Sequence, residues 1–216
     1  MIISPSILSM NYDNFNYELN ELNQYADWIH FDVMDGHLVP NLSFGPYIFS
    51  FFRKNSTKFL DVHLMVEDPK YYSDVFIKAG ADSIIFHYEA FNDIEKCIEL
   101  LKEIKSQYIK CGISIKPKTS VKEVEALLPY IDIFLVMSVE PGFGGQKFMP
   151  EALDKIKQLK EYKEKNGFNY VIEVDGGISD LTARNVIDAG ADALVAGSYI
   201  FKGDIKTNIE KLRKCA

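Results

Sequence analysis

The sequence predicts an α/β fold, a single-domain (β/α)8 TIM barrel over residues 1–216, from three observations. Short β-like runs alternate with stretches of helical periodicity along the whole chain. The alternation closes at eight units within about 200 residues, the size at which such a barrel is complete. An Asp introduces or opens every even-numbered run, a rhythm of two strands that suits a barrel built from two-strand units. An open doubly wound sheet is the alternative arrangement of the same units.

The runs follow in order. The first, Ile2 to Leu8, is apolar and contains Pro5. A helical stretch with Phe15, Leu19 and Leu22 on one face leads to the second run, Trp28 to Val33, introduced by Ala26 and Asp27. The third is Lys58 to Leu64 and the fourth is Ser83 to His87, preceded by Ala79-Gly80-Ala81-Asp82. Ile94, Ile98, Leu101 and Ile104 then mark a helix before the fifth run, Lys110 to Ile115, and the sixth, Ile131 to Met137, which opens with Asp132 in second place. The longest helical stretch, Pro150 to Lys165, carries Lys and Glu at i, i+4 spacing, including Glu161 and Lys165, and reads as a solvated outer helix. Tyr170 to Val174 is the seventh run, and Ala189-Gly190-Ala191-Asp192 precedes the eighth, Ala193 to Ala196. Gly80 and Gly190 are placed to end helices in a left-handed conformation, a structural role. No linker, low-complexity segment or domain boundary interrupts the pattern.

With 47% hydrophobic residues the chain has ample material for a full core. A net charge of −7, from 24 basic and 31 acidic residues with no block of one sign, argues against a nucleic-acid or anionic-membrane surface. No apolar run approaches the roughly 20 residues of a membrane span. Met1 to Met10 hold no basic charge and resemble no targeting peptide, and Cys97, Cys111 and Cys215 form no Cys-x-x-Cys pattern. A reducing cytoplasm is the expected location.

Trp28 to Gly36 departs from a plain core strand. His30, Asp32 and Met34 alternate and so share one face, where an imidazole and a carboxylate need partners in a poorly solvated place. In a barrel the C-terminal strand ends form the active face, and topology brings His30, Asp32, His63 and Asp175 there. Two imidazoles with two carboxylates suit Zn, Fe, Mn or Co as one divalent metal ion, the choice among these staying open. Ordinary hydrogen-bonded core polar groups are the competing explanation. His37 reads as a loop residue beside the site, His87 as a ring behind it or toward substrate, and Asp61 as a partner that orients an imidazole. Met34, Met65 and Met137 end strands beside these residues, as ordinary core or as a dry floor to a reactive site.

Three glycine-rich turns follow consecutive late strands: Gly142-Phe143-Gly144-Gly145, Gly176-Gly177 and Gly197-Ser198. Bare backbone N–H groups in such turns make an anion cradle without Lys or Arg, and phosphate is its natural occupant. Lys116, at the end of the fifth run, reads as a solvated loop lysine, with a Schiff-base role as the minor alternative.

On these residues the chain resembles the ribulose-phosphate 3-epimerase family from Ser4-Pro5-Ser6-Ile7-Leu8-Ser9 to Ala196-Gly197-Ser198. The markers are His30-Phe31-Asp32-Val33-Met34-Asp35-Gly36, Val39-Pro40-Asn41, Asp61-Val62-His63-Leu64-Met65-Val66, Met137 to Gln146 and Val174-Asp175-Gly176-Gly177. Tyr88, Lys116 and Met10-Asn11 stand where Pro, Asn and Ala-Asp are common. The resemblance implies that His30, Asp32, His63 and Asp175 ligate the metal and that Asp32 and Asp175 are also the acid/base pair. It implies that Ser6, His63, Gly142, Phe143, Gly144, Gly145, Asp175, Gly176, Gly177, Gly197 and Ser198 contact substrate, with the three methionines lining the site. The reaction so implied is conversion of D-ribulose 5-phosphate to D-xylulose 5-phosphate through a cis-enediolate, with D-allulose 6-phosphate as the alternative substrate. A non-catalytic sugar-phosphate-binding barrel and a Lys116 aldolase are the rival classes. Expected partners are a small-molecule ketose phosphate and further copies of the chain in a homo-oligomer, with no nucleic acid and no membrane.

Overall fold

Each run becomes a strand in a computed structural model describing residues 1–216: β1 (Ile2–Pro5), β2 (Trp28–Met34), β3 (Phe59–Met65), β4 (Ser83–His87), β5 (Lys110–Ile115), β6 (Ile133–Met137), β7 (Val171–Asp175) and β8 (Ala193–Ala196). Hydrogen-bonded neighbours run β1-β8-β7-β6-β5-β4-β3-β2, all parallel. The remaining seam, between β1 and β2, is joined by a parallel bridge of Ser6 with His30 and a bond from Asp27 N to Ile3 O at 3.1 Å. This nearly closed barrel, not the open sheet, is the fold.

Around it lie α1 (Phe15–Tyr25), α2 (Pro46–Asn55), α3 (Pro69–Lys78), α4 (Ile94–Ser106), α5 (Ala152–Asn166), α6 (Ala183–Ala189), α7 (Ser198–Phe201) and α8 (Ile205–Lys214). One strand is shorter than expected. The first strand stops at Pro5, because the Ser6 hydroxyl accepts the Leu8 N–H at 3.3 Å and turns Ile7–Ser9 into a 3-10 helix. Between β5 and β6 the connection is a 3-10 helix, Val121–Tyr130, entered through a Ser120–Glu123 capping box and carrying Pro129 near its end. On α5 the ion pairs formed are Lys157 with Asp154 and Lys163 with Asp192, while Ile156 and Leu159 are buried. Gly80 and Gly190 follow α3 and α6 at φ +100° and +120°, as helix ends require.

The two-strand rhythm has a physical basis. The side chains of Asp27, Asp82, Asp132 and Asp192 accept the N–H groups of Ile3, Leu60, Cys111 and Ile172 at 2.9, 2.8, 3.1 and 2.9 Å. Each Asp therefore starts an even strand and ties it to the odd strand before it. Each also faces a cation: Arg213, Arg53, the pair Lys105 and Lys110, and Lys163 respectively. The same lock occurs four times around the N-terminal rim, leaving the opposite rim free for the loops that build a site.

Most apolar burial lies between sheet and helices, in a cluster of 50 residues. The barrel interior is divided. Ile85, Ile133, Leu135, Met137, Val139 and Val195 fill the wall made by β4, β6 and β8. On the wall made by β2, β3 and β7 the buried residues include His30, Asp32, Asp61, His63 and Glu173. A polar wall inside a barrel is expensive to bury, and it is where the chemistry collects.

Candidate metal and substrate site

Parallel register assembles the polar wall. On β2 and β3, His30 lies opposite Asp61, Asp32 opposite His63 and Met34 opposite Met65. The bridge at Ser6 brings its hydroxyl to Asp32 Oδ2 at 2.5 Å. His63 Nδ1 is 3.1 Å and His30 Nε2 3.4 Å from Asp32 Oδ1. One donor atom from each of His30, Asp32, His63 and Asp175 lies within 4.8 Å of all the others. Three separate strands thus converge on one point.

The donor set fits a divalent cation. His30 Nδ1 is taken by Asp61 at 2.7 Å, and Ser83 donates to the other Asp61 oxygen, so Asp61 orients this ring. His30 Nε2 is fully buried with no hydrogen-bond partner and faces a carboxylate oxygen. Two lone pairs facing each other call for positive charge between them, which a metal ion supplies. In the metal-free chain His30 itself takes the charge. Burial disfavours its imidazolium, but Asp32 and Asp61 outweigh burial and hold its pKa well above the usual value. Burial likewise works against an ionised Asp32, and His30 and His63 nevertheless hold it below the normal carboxylate range.

The other carboxyl groups behave differently. Burial, and then the charge of Asp32, push Asp175 up to about 7, against a partial offset from His30. Glu173, two residues earlier on the same face of β7, is raised well above its usual value by burial and by Asp61. His63 is lowered to about 4, chiefly by burial, and is neutral at pH 7. Its Nε2 meets His87 Nε2 at 2.9 Å, and His87 Nδ1 meets Glu89 Oε2 at 3.2 Å. Burial raises the Glu89 pKa, yet hydrogen bonds from His87, Thr119 and the Lys116 N–H bring it down to about 2.

Above the donor set opens a pocket whose empty space, its solvent-open mouth included, is about 540 Å³. Asp32 and Asp175 stand in its floor beside Met34, Met65 and Met137, and its walls include Ser6, Gly142, Phe143, Gly144, Gly145, Gly176, Gly177, Gly197 and Ser198. His30 and His63 lie beneath Asp32, fully buried. The glycine turns are stapled together. Ser138 Oγ donates to Asp175 O at 2.9 Å and Gly176 O at 2.7 Å, and Asn41 Nδ2 donates to Gly142 O at 2.7 Å.

Some residues fall elsewhere than the sequence suggested. His37 is exposed, bonded to the Asp35 backbone and away from the pocket. Lys116 Nζ donates to Leu38 O at 3.3 Å and does not line the pocket, which removes the footing of a Schiff-base reading. Asp61 does orient an imidazole, that of His30 on the neighbouring strand. Sequence reasoning passed over Ser9, Gln146, Val195, Glu173 and Glu89. Glu173 was detectable, since alternation puts it on the face of Asp175; Glu89 sits in a 3-10 turn, Tyr88–Ala90, where no periodicity speaks.

Residues 2–201 match the family described as Ribulose-phosphate 3 epimerase family. A ribulose-phosphate 3-epimerase of Bacillus subtilis is 43% identical over 98% of this chain and 97% of its own. A cytoplasmic isoform of that enzyme from Oryza sativa is 43% identical over 92% of this chain and 86% of its own. Among solved structures, 3-hexulose-6-phosphate synthase superimposes with a TM-score of 0.73 at 19% identity, covering 100% of this chain and 99% of its own. 3-Keto-L-gulonate-6-phosphate decarboxylase from Vibrio cholerae does so at 0.75 and 17%, covering 99% and 96%. At these identities the two structures speak for the barrel alone.

Proposed function

The chain belongs to the ribulose-phosphate 3-epimerase family, and on that premise we propose that it interconverts D-ribulose 5-phosphate and D-xylulose 5-phosphate using one divalent metal ion. The observation that carries this reading is the pair Asp32 and Asp175, set on β2 and β7 in the floor of one pocket and joined to two buried imidazoles in one donor set. Inverting a carbon needs a base on one face and an acid on the other.

His30, Asp32, His63 and Asp175 would hold the metal. When bound, the ion acts as a Lewis acid that makes the proton α to the C2 carbonyl removable at neutral pH. The chain's own residues do the rest. Asp32, whose Oδ2 accepts the Ser6 hydroxyl at 2.5 Å, removes the C3 proton, giving a cis-enediolate. Asp175, across the pocket floor on β7, delivers a proton to the opposite face. In the reverse direction the two exchange roles. Met34, Met65 and Met137 keep that floor dry, and the N–H groups of the glycine turns hold the phosphate so that C3 stays between the carboxylates. No helix is long and apolar enough to cross a membrane.

Asp175→Asn tests the pair. We expect the fold to persist and turnover at saturating metal to fall about 10²–10⁴-fold, the usual contribution of one acid/base group. Deuterium from D₂O should enter C3 of the wild-type product, and a strong chelator should abolish activity until metal is returned. Normal turnover by the variant, or indifference to the chelator, would overturn the reading. Allulose 6-phosphate serves as the competing substrate, and faster turnover of it would reassign the sugar.

A further inference from the structure

We propose that Glu89 is a positioning residue for the metal site, acting through His87 to fix the tautomer of His63. The inference rests on the reading of His63 as a ligand. Its Nδ1 faces the donor set, so binding a cation requires Nδ1 bare and the proton on Nε2. That Nε2 lies 2.9 Å from His87 Nε2, which must then accept, and His87 must carry its own proton on Nδ1. Its acceptor is Glu89 Oε2 at 3.2 Å. One order of donors satisfies the whole line: His63 N–H to His87, His87 N–H to Glu89.

The far end of the line is anchored so that its polarity cannot reverse. Glu89 Oε1 accepts the backbone N–H of Lys116 at 2.7 Å and the hydroxyl of Thr119. A backbone amide is a donor only, so Oε1 must remain an acceptor. The loop presenting that amide is held by Lys155 on α5, whose ammonium donates to Lys116 O, Pro117 O and Thr119 O at 3.0, 2.7 and 2.6 Å. Both rings are fully buried, which leaves no exposed water to repair a mismatched proton.

This anchoring makes Glu89→Gln the diagnostic change. With the Gln oxygen claimed by the Lys116 N–H, its NH₂ must face His87 Nδ1, which then becomes the acceptor. His87 is driven to carry its proton on Nε2, opposite the N–H of His63. The line conflicts, and His63 must surrender the tautomer that binds metal. Glu89→Ala removes the same charge without imposing a donor, and the vacated space admits a water that can accept from His87.

Zn²⁺ affinity, measured by competition with a chromophoric chelator, should fall by 10–100-fold in Glu89→Gln, the range for lost partners of ligating histidines. It should fall less in Glu89→Ala and least in Glu89→Asp. Imidazole ¹⁵N shifts of the Zn²⁺-loaded protein should report a proton on Nδ1 of His87 in the wild type and on Nε2 in Glu89→Gln. Thermal unfolding of the metal-free variants separates this from loss of fold. Equal losses in the Gln and Ala variants would show that charge alone matters and overturn the inference, as would unchanged affinity in Glu89→Gln. A wild type that binds no Zn²⁺ would instead overturn the ligand reading beneath it.

Discussion

Gly177→Ala adds one methyl group and no new chemistry, yet the structure assigns it a large effect. A Cβ at this position would lie 2.3 Å from Phe148 N and 2.7 Å from its Cα, backbone atoms that no rotamer change can move aside. Restoring an ordinary contact near 3.4 Å takes about 1 Å of displacement. Neither side is free to give. Met149 N donates to Ser138 O at 2.8 Å beside Phe148, while Ser138 Oγ holds the carbonyls of Asp175 and Gly176 on the other side. Gly177 also has φ +62°, which costs an L side chain about 1–2 kcal/mol. Adding about 1–3 kcal/mol for overpacking gives a stability loss of about 2–5 kcal/mol. Asp175 is two residues away, and about 1 Å of misplacement at a reacting group lowers kcat/KM on the order of 100-fold. The control is Gly167→Ala at the end of α5, with φ +67° and nothing within 4 Å. It should lose only about 1–2 kcal/mol, with activity unchanged. Urea unfolding and kcat/KM for both variants test this. Equal stability losses, with Gly177→Ala active within threefold of wild type, would refute the steric argument.

Two further outcomes follow from the geometry. Asp192→Ala strips the Ile172 N–H of its acceptor and Lys163 of its partner, and should cost about 1–3 kcal/mol in urea unfolding without changing kcat. Combined with Asp82→Ala across the rim the losses should add, and strong non-additivity would contradict four independent locks. In the metal-free protein, Asp175 has its pKa raised from 3.8 to about 7, so the folded state binds more protons than the unfolded one between those values. The contribution of Asp175 to stability therefore falls as pH rises from about 4 to 7 and is constant above. Metal-free Asp175→Asn, which stays neutral, should be the more stable at pH 8 by up to about 4 kcal/mol, with the difference vanishing below pH 4. Urea unfolding at pH 4 and pH 8 measures it, and a difference that grows as pH falls would show the sign to be wrong.

The barrel was legible because its signals are local. Apolar alternation, the positions of Gly80 and Gly190 and the four recurrent Asp residues are each set by a few neighbouring residues, and the strands formed where those signals lay. Where a side chain competes with the backbone the sequence misled, as at Ser6, whose hydroxyl ended the first strand early. The same alternation exposed His30 and Asp32 as polar residues on an interior face, and from them the residue types of a metal site. Tertiary structure alone decided who partners whom. Register across β2 and β3 gave Asp61 to His30, and the packing of a 3-10 turn against the β5 loop gave Glu89 to His87. Which nitrogen of His63 is left for a metal depends on hydrogen bonds reaching to Lys116 and Lys155, from β5 and α5. Periodicity reports the face on which a residue lies, whereas a proton's place is settled by the last fixed donor in the line, here a backbone amide far away in the sequence.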